Sequence, residues 1–330
     1  MAHKRTGAAI FSLILGLSLT ACSETGGAPR SEDSSDLSGG VNTPRYVVSM
    51  ITHGAPGDTF WDLVRKGAQD AAQKDNIELR YSSDPEIPNQ VNFVQSAIDS
   101  NVDGIALTLP NATAVGPTAA AAVHAGIPTV AFNAGMDAYQ DYDLQGFFGQ
   151  EESVAGEQAG QRLAEQGAKH VLCVIHEQGN SSQEARCDGL SKGATGAKVE
   201  ILYVNGRDLS AVQATLQSKL SQDSSIDWVM GLVAPVALTT IDAAKDAGAD
   251  VSIATFDTNA ELVNAIEAGD VQFAVDQQPY LQGYMAVDSL WLALRNGTTV
   301  GGGRPVYTGP SFVDASNVDT IAEAAREGLR

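Results

Sequence analysis

Short apolar runs alternate with amphipathic segments along the chain after residue 44, and this alternation constrains the fold more than any other feature. In the first half the strand-like runs are 45–51, 77–81, 103–109 and 129–132. The helix-like segments between them are 62–74, 88–100 and 115–124. Strands that alternate with helices form parallel sheets with helices on both faces, so we expect an α/β fold.

The alternation starts again after about residue 150 and predicts a second lobe. Its strand-like runs are 170–175, 199–204, 228–233, 251–256 and 271–276. Its helix-like segments are 153–165, 184–193, 209–220, 237–246, 259–268 and 279–294. Roughly 285 residues follow position 44, which is enough for two lobes. Two doubly wound parallel sheets that face each other leave a crevice at the carboxyl ends of their strands, where ligands bind.

The first 21 residues have the pattern of an export signal. Lys4 and Arg5 precede the apolar run 8–19, which is too short to cross a bilayer as a permanent helix. The following string Leu-Thr-Ala-Cys22 resembles a bacterial lipobox, in which the cysteine thiol is acylated and becomes the mature N-terminus. An ordinary signal peptide followed by a chance cysteine is the alternative. We predict a signal peptide at 1–21 and a lipid anchor at Cys22, which places the protein outside the cytoplasm, on the cell membrane.

Residues 22–44 are rich in Ser, Gly, Asp and Glu and contain almost no large apolar side chain. Such a segment cannot bury enough surface to offset the entropy of ordering it, so we predict a flexible linker. The formal net charge of the whole chain is -20. This acidity argues against nucleic acid or anionic lipid as a partner.

Two cysteines remain besides Cys22, namely Cys173 and Cys187. In an oxidising compartment such a pair predicts a disulfide. Two separate buried thiols are the alternative, since free cysteine is often buried. We expect no metal at either cysteine.

The loop after the first strand, residues 52–62, contains the first candidate site residues. Phe60 and Trp61 are predicted there as an exposed aromatic pair that stacks on the C–H face of a sugar or polyol, beside the hydrogen-bonding Asp58. Alternatively, one ring belongs to the core and the other staples the helix. His53 also follows the strand and is a candidate ligand residue or a structural histidine.

Six segments of the chain form one ordered set: 60–69, 103–107, 126–133, 150–160, 254–257 and 275–280. Together they resemble the periplasmic pentose-binding proteins, which belong to the group that also contains the effector domains of lac-repressor-type regulators. The resemblance covers residues 45–315 and implies a solute-binding protein of an ABC transporter, with two lobes and a three-segment hinge.

The resemblance also implies where the lobes begin and end. The hinge crossings are expected near 147–150, 276–279 and 307–311. The resulting N-terminal lobe comprises 45–148 plus 278–308. The C-terminal lobe comprises 149–277 plus 309–330.

The family's ligand positions in the first lobe fall on Asp58, Phe60, Trp61 and Asn133. At the last of these the family usually has an Asp that binds sugar hydroxyls. The Arg that normally follows that Asp is replaced by Ala134 in this chain. Because this chain lacks that Asp–Arg pair, we expect a wider range of ligands that comprises pentoses, hexoses and linear polyols.

The remaining family positions fall in the second lobe and the hinge, at Asp257 and Gln277. The family's second-lobe Arg aligns with Glu184, with Arg186 two residues later, and Asn180 is a further candidate from the same loop. Asp257 has an alternative role as the cap of the helix near Asn259. The Gln277 side chain could instead form hydrogen bonds with backbone groups of the hinge.

We therefore expect a monomeric, extracytoplasmic substrate-binding lipoprotein that delivers a small carbohydrate to an ABC transporter permease. A receptor-type sensor with the same binding lobes is the main alternative. A secreted carbohydrate-active enzyme is less favoured, because no nucleophile motif is present. No phosphate-binding glycine loop follows the first strand, so no cofactor is expected. A transcription regulator would need a basic DNA-binding module, which an acidic exported chain does not offer.

Overall fold

A computed structural model describes residues 43–330. The predicted signal peptide, the lipid anchor at Cys22 and all but the last two residues of the predicted linker lie outside this range. Twelve strands form in the described residues: β1 Tyr46–Thr52, β2 Ile77–Ser83, β3 Gly104–Leu107, β4 Thr129–Phe132, β5 Phe147–Gly149, β6 His170–Ile175, β7 Lys198–Tyr203, β8 Trp228–Gly231, β9 Ser252–Phe256, β10 Phe273–Asp276, β11 Pro305–Tyr307 and β12 Ser311–Asp314. Ten α-helices accompany them there: α1 Thr59–Asp75, α2 Ile87–Asp99, α3 Ala112–His124, α4 Glu152–Glu165, α5 Ser181–Gly193, α6 Leu209–Gln222, α7 Ala234–Ala247, α8 Ala260–Ala268, α9 Pro279–Asn296 and α10 Asp319–Arg326.

The strands form two six-stranded sheets, one in each lobe. The first-lobe sheet has the order β11-β5-β4-β3-β1-β2, and every pairing in it is parallel. The second-lobe sheet has the order β12-β10-β9-β8-β6-β7, with β12 as its antiparallel member. The prediction of two doubly wound α/β lobes is therefore confirmed.

The chain passes between the sheets three times, at residues 150–151, 277–278 and 308–310. Hydrogen bonds join two of these segments, because Thr308 Oγ1 donates to the Gln277 carbonyl at 2.7 Å and Gln278 Nε2 donates to the Thr308 carbonyl at 2.5 Å. We call the three crossing segments the hinge. The lobe boundaries given above are proposed to lie there.

Polar caps set the starts of the helices that approach the crevice. Asp58 accepts from the Phe60 amide at 3.0 Å, and Asn180 accepts from the Ser182 amide at 3.0 Å. Because these side chains satisfy first-turn donors, α1 and α5 each begin three residues before the predicted start. The aromatic pair after Asp58 consequently lies in the first turn of α1, and not in the loop before it.

The core of the second lobe holds α5 firmly against β6. The Cys173 and Cys187 sulfurs form a disulfide that joins this strand to this helix. Closing a loop of 14 residues stabilises the folded state by about 3 kcal/mol in the chain-entropy model. On its other side α5 touches α4, where a Cβ at Gly156 would collide with the Arg186 carbonyl. This close approach brings α4 and α5 together beside the crevice.

No helix within residues 43–330 is both long and apolar enough to cross a bilayer.

Candidate functional site

A small pocket, here called the inner pocket, lies between the carboxyl ends of the two sheets beside the hinge. It has a volume of about 30 Å³ and is lined by residues of both lobes. All nine predicted ligand residues line it: His53, Asp58, Phe60, Trp61, Asn133, Asn180, Arg186, Asp257 and Gln277. The structure thus brings together side chains that are up to 224 positions apart, from His53 to Gln277.

The aromatic pair of the first lobe is buried, and the expectation of an exposed pair is wrong. Phe60 is 6% exposed and Trp61 is 5% exposed, and both belong to the first-lobe core. Their rings are nearly perpendicular with centroids 5.0 Å apart, and the His53 ring packs edge-on against Trp61 at 4.7 Å. These contacts hold the rings in place, so they form a preformed apolar wall of the inner pocket.

Asp58 is a buried carboxylate at the N-terminus of α1. Burial raises its pKa to about 7, and the charges of Glu177 and Asp62 act in the same direction, whereas the hydrogen bond from the Phe60 amide opposes them. The carboxyl group is therefore close to half-protonated at neutral pH. It can accept a hydrogen bond from a hydroxyl group or donate one to it.

His53 joins the two lobes through a hydrogen-bonded chain. Its Nε2 accepts from Asn180 Nδ2 at 3.3 Å, so its Nδ1 carries the hydrogen and donates to Thr108 Oγ1 at 2.7 Å. Burial lowers the pKa of His53, and the nearby Glu177 carboxylate only partly compensates. The ring is therefore neutral, and its contact with Asn180 crosses the crevice directly.

Arg186 is neutralised within the second lobe. Its Nε and Nη2 donate to the two carboxylate oxygens of Glu152 at 2.6 and 2.9 Å, and its Nη1 donates to the Leu232 carbonyl at 3.2 Å. The guanidinium group also lies 4.5 Å above the Phe256 ring. Because the Glu152 carboxylate already accepts from Nε and Nη2, the guanidinium group of Arg186 cannot bind an acidic ligand through this pair of donors.

Glu184, the other position considered for the family's arginine, lies elsewhere. Its carboxylate accepts from the Tyr203 hydroxyl at 3.1 Å and does not line the inner pocket. The structure therefore favours Arg186 as the residue in that place.

A chain of amide hydrogen bonds connects the two strand ends with the hinge. Gln277 Nε2 donates to Asp257 Oδ1 at 2.8 Å, and Asn133 Nδ2 donates to Gln277 Oε1 at 3.1 Å. Burial raises the pKa of Asp257 to about 7, although the positive charge of Arg186 opposes this. The chain therefore presents a largely neutral surface of amide and carboxyl groups.

The alternative roles of Asp257 as a helix cap and of Gln277 as a partner of hinge backbone groups are both wrong. The cap of α8 is Asn259, which accepts from the Leu262 amide at 2.8 Å, so Asp257 is free of that role. The Gln277 side chain bonds to other side chains and not to hinge backbone groups. Asn133 and Asp257 both have left-handed backbone, with φ of 63° and 64°. Asn and Asp tolerate this conformation best, which agrees with their positions directly after β4 and β9.

The sequence reasoning missed His176, Glu177 and Gln183, which line the inner pocket from the loop after β6 and the start of α5. The Glu177 carboxylate accepts from Asn180 Nδ2 at 2.6 Å and from Gln183 Nε2 at 3.1 Å, and it lies 3.8 Å from His53 Nε2. Burial alone would raise the pKa of Glu177, but its interactions with His53 and His176 and the Asn180 hydrogen bond together lower it. A signal was available, because His176 follows the first strand of the second lobe just as His53 follows that of the first.

His176 supplies a hydrogen-bond donor without a partner. Its Nε2 accepts from Gln183 Nε2 at 3.1 Å, which leaves the hydrogen on Nδ1. Burial lowers the pKa of this histidine to about 4, so the ring is neutral. Among the described residues no acceptor reaches the buried Nδ1. An unpaired buried donor is unfavourable, so a ligand hydroxyl that accepted from it would be stabilised.

The two lobes touch each other around the inner pocket. Besides the His53 contact, Asn259 Nδ2 donates to Thr59 Oγ1 at 3.3 Å, and the Ser181 amide donates to the Pro110 carbonyl at 3.4 Å. A volume of about 30 Å³ corresponds to roughly one water molecule. A sugar can enter only if the lobes separate and these contacts are exchanged for contacts to the ligand.

One group of side chains in residues 43–330 has the spacing of a metal site, away from the inner pocket. His170, Glu200 and Asp223 bring their ligand atoms within 4.8 Å of one another. Two ammonium groups already bind the central carboxylate, with Lys198 Nζ at 2.8 Å and Lys219 Nζ at 2.5 Å from Glu200. We therefore describe this cluster as an ion-pair network.

Several known proteins are similar to this chain. The family model described as periplasmic binding protein domain matches residues 48–298. A solved carbohydrate transporter from Acidothermus cellulolyticus in complex with myo-inositol is 50% identical, with a TM-score of 0.86 over 87% of this chain and 100% of that one. The xylitol-binding protein of Mycolicibacterium smegmatis is 28% identical over 81% of this chain and 74% of its own length. The xylose/arabinose-binding protein of Sulfolobus acidocaldarius is 23% identical over 86% of this chain and 74% of its own length.

Proposed function

We propose, starting from the fact that the chain belongs to the periplasmic binding protein family, that it captures a small sugar or polyol outside the cytoplasm for an ABC transporter. The observation that carries this proposal is the convergence of nine polar and aromatic side chains from both lobes on one pocket beside the hinge. A ligand held there contacts both lobes at once. Its binding energy therefore depends on the angle between the lobes, which couples binding to a change of shape.

The ligand class follows from the charges around the inner pocket. Arg186 is neutralised by Glu152, and Asp58, Glu177 and Asp257 are acidic or neutral according to pH. A phosphorylated or acidic sugar would find no free cation among these groups. A neutral polyhydroxylated ring can donate to the carboxyl groups and accept from the His176 Nδ1 hydrogen.

Within that class we propose a cyclic polyol, with myo-inositol as the first compound to test. Support comes from the 50% identical solved relative, which is in complex with that compound. A ring with axial and equatorial hydroxyls also has C–H faces that can lie against Trp61. The xylitol-binding relative makes linear polyols the second class to test.

The proposed mechanism is closure of the lobes about the hinge. With the lobes apart, Asn180 and His53 separate and both become available to ligand hydroxyls. Closure then brings the second-lobe groups onto a ligand already resting on Phe60 and Trp61. The closed form presents both lobes to a permease, which is the proposed partner.

We further propose that Cys22 carries a lipid and holds the binding lobes near the membrane. The disulfide between Cys173 and Cys187 supports an oxidising location, where such bonds persist. Tethering raises the local concentration of the binder near a membrane permease. In this proposal the chain binds and releases its ligand without chemical change, as expected of a binding-protein family.

A thermal-shift screen tests the proposed function. The purified residues 43–330 are heated with myo-inositol, xylitol, xylose, arabinose and glucose, with inositol monophosphate as an anionic control. A ligand at 100 times its dissociation constant stabilises the folded state by about 2.7 kcal/mol, which is readily measured. The proposal predicts stabilisation by at least one neutral polyol or sugar and none by the phosphate. If no neutral compound raises the melting temperature, the proposed function is wrong.

A further inference from the structure

A second and much larger cavity lies between the lobes next to the inner pocket, and we call it the outer chamber. Its volume is about 960 Å³, against about 30 Å³ for the inner pocket. The two cavities share six lining residues: His53, Asp58, His176, Glu177, Asn180 and Val233. A ligand bound at the shared residues can therefore extend from one cavity into the other.

The outer chamber persists although the lobes are in contact on both sides of it. On the inner side the lobes meet at His53 and Asn180. On the outer side Arg207 Nη1 of the second lobe donates to Glu86 of the first lobe at 2.9 Å. The outer chamber is therefore present while these contacts between the lobes are formed. Volumes of about 300–1,000 Å³ suit ligands much larger than a single sugar ring.

The wall of the outer chamber carries apolar carbon that is not packed in the core. Tyr203 is 46% exposed and Leu209 is 41% exposed, and both line the chamber. The Tyr203 hydroxyl donates to Glu184 at 3.1 Å, which fixes the position of the ring. Aromatic and aliphatic surfaces of this kind bind the C–H face of a sugar ring. A sugar ring bound in the outer chamber would cover Tyr203 and Leu209, which accounts for their exposure in the chamber wall.

The polar groups of the outer chamber favour a neutral ligand. The positive charge of Arg207 is paired with Glu86, while Asp58 and Glu177 contribute negative charge. Asn111 and Asn205 line the same space and use their side-chain oxygens in local turns, at 3.2 Å from the Ala114 and Arg207 amides respectively. Their amide NH₂ groups can therefore donate any further hydrogen bonds, and the hydroxyl oxygens of a ligand can accept them.

We propose that the outer chamber is a second subsite, which binds a sugar ring joined to the polyol held at the inner pocket. The protein then takes up a glycosylated polyol or a disaccharide in addition to the free polyol. This inference rests on the proposed function, since the inner pocket must hold the first ring. Tyr203 is the residue that the structure assigns to contact with the second ring.

The test compares myo-inositol with galactosyl-myo-inositol by isothermal titration calorimetry. Three forms of residues 43–330 are used: wild type, Tyr203→Ala, and the matched control Tyr307→Ala. Tyr307 is also an exposed tyrosine, 61% accessible, but it lies on β11 and lines neither cavity. Wild type should bind the galactoside at least as tightly as myo-inositol. Loss of the stacking surface in Tyr203→Ala should weaken the galactoside roughly three- to tenfold and leave myo-inositol unchanged.

The outcomes separate this inference from the proposed function. If wild type binds myo-inositol but not the galactoside, or if Tyr203→Ala binds both as wild type does, the second subsite is refuted and the proposed function stands. An equal loss for both compounds in Tyr203→Ala also refutes it, because a subsite for the second ring acts on the galactoside alone. If neither these two compounds nor any other neutral sugar or polyol binds to wild type, both proposals fall.

Discussion

The buried ion pair between Arg186 and Glu152 provides a quantitative test of how the inner pocket is held in shape. Their side chains are 6% and 8% exposed, and two hydrogen bonds of 2.6 and 2.9 Å join them. Replacing Glu152 by Gln keeps the size of the side chain but leaves the guanidinium charge buried without a counterion. Breaking a buried pair in this way costs about 3–5 kcal/mol, which lowers the melting temperature by roughly 6–20 °C.

The assay is thermal and urea unfolding of wild type and Glu152→Gln, with two further variants for comparison. In Glu78→Gln the carboxylate removed belongs to an exposed pair with Arg80, with side chains 41% and 49% exposed, so the change should be below about 1 kcal/mol. In the double variant Glu152→Met with Arg186→Met neither charge of this pair is present, so most of the stability should return. The return is incomplete because Gln150 Nε2, which donates to Glu152 at 2.8 Å, loses its acceptor. A Glu152→Gln variant that unfolds within about 1 kcal/mol of wild type, or a double variant less stable than the single one, would show that the buried pair does not hold the inner pocket in shape.

The other predictions concern ligand contact, pH and location. Trp61→Ala should weaken myo-inositol binding about tenfold or more in calorimetry, because it removes the apolar wall. The control Trp291→Phe, at a position outside the inner pocket, should leave this affinity unchanged. If Trp61→Ala binds myo-inositol as tightly as wild type does, Trp61 does not belong to the site. Burial raises the pKa of Asp257 from its ordinary value of 3.8 to about 7, so the folded state still holds a proton that the unfolded chain has lost, and stability falls as pH rises between these two values and levels off above pH 7. Asp257→Asn, which never ionises, should gain stability relative to wild type between pH 5 and pH 8 in urea titrations, and a difference that does not vary with pH would contradict this. Cys22→Ser should move the expressed protein from the membrane to the soluble fraction, and persistent membrane association would argue against the lipid anchor.

The sequence pattern predicted the regular elements well where the strands are buried on both faces. The predicted runs 129–132 and 170–175 coincide with β4 and β6, whose residues are all buried. By contrast β5, β11 and β12 were not predicted, because β5 and β11 have only three residues each and β12 is mostly half-buried, so none of them forms a long buried apolar run. Helix starts were placed late where a polar cap such as Asp58 or Asn180 begins the helix before its apolar positions.

The site was predictable in its members but not in its geometry. Strand-end position and the family resemblance identified Asp257 and Gln277, and the structure places both at the inner pocket. The pairing of Arg186 with Glu152 could not be predicted, because it depends on the close approach of α4 and α5 at Gly156. His176 could have been predicted from its position directly after β6, which corresponds to the position of His53 directly after β1.

Calorimetric titration of myo-inositol into wild type, Asp257→Ala and Asp270→Ala decides whether the polyol binds at the inner pocket. Asp257 is 4% exposed at the inner pocket, whereas Asp270 is an exposed aspartate outside it. We predict one binding site in wild type and in Asp270→Ala. We predict a loss of affinity of about tenfold or more in Asp257→Ala, where a ligand hydroxyl loses its buried partner. Binding to wild type that is unchanged in Asp257→Ala would show that the ligand lies outside the inner pocket.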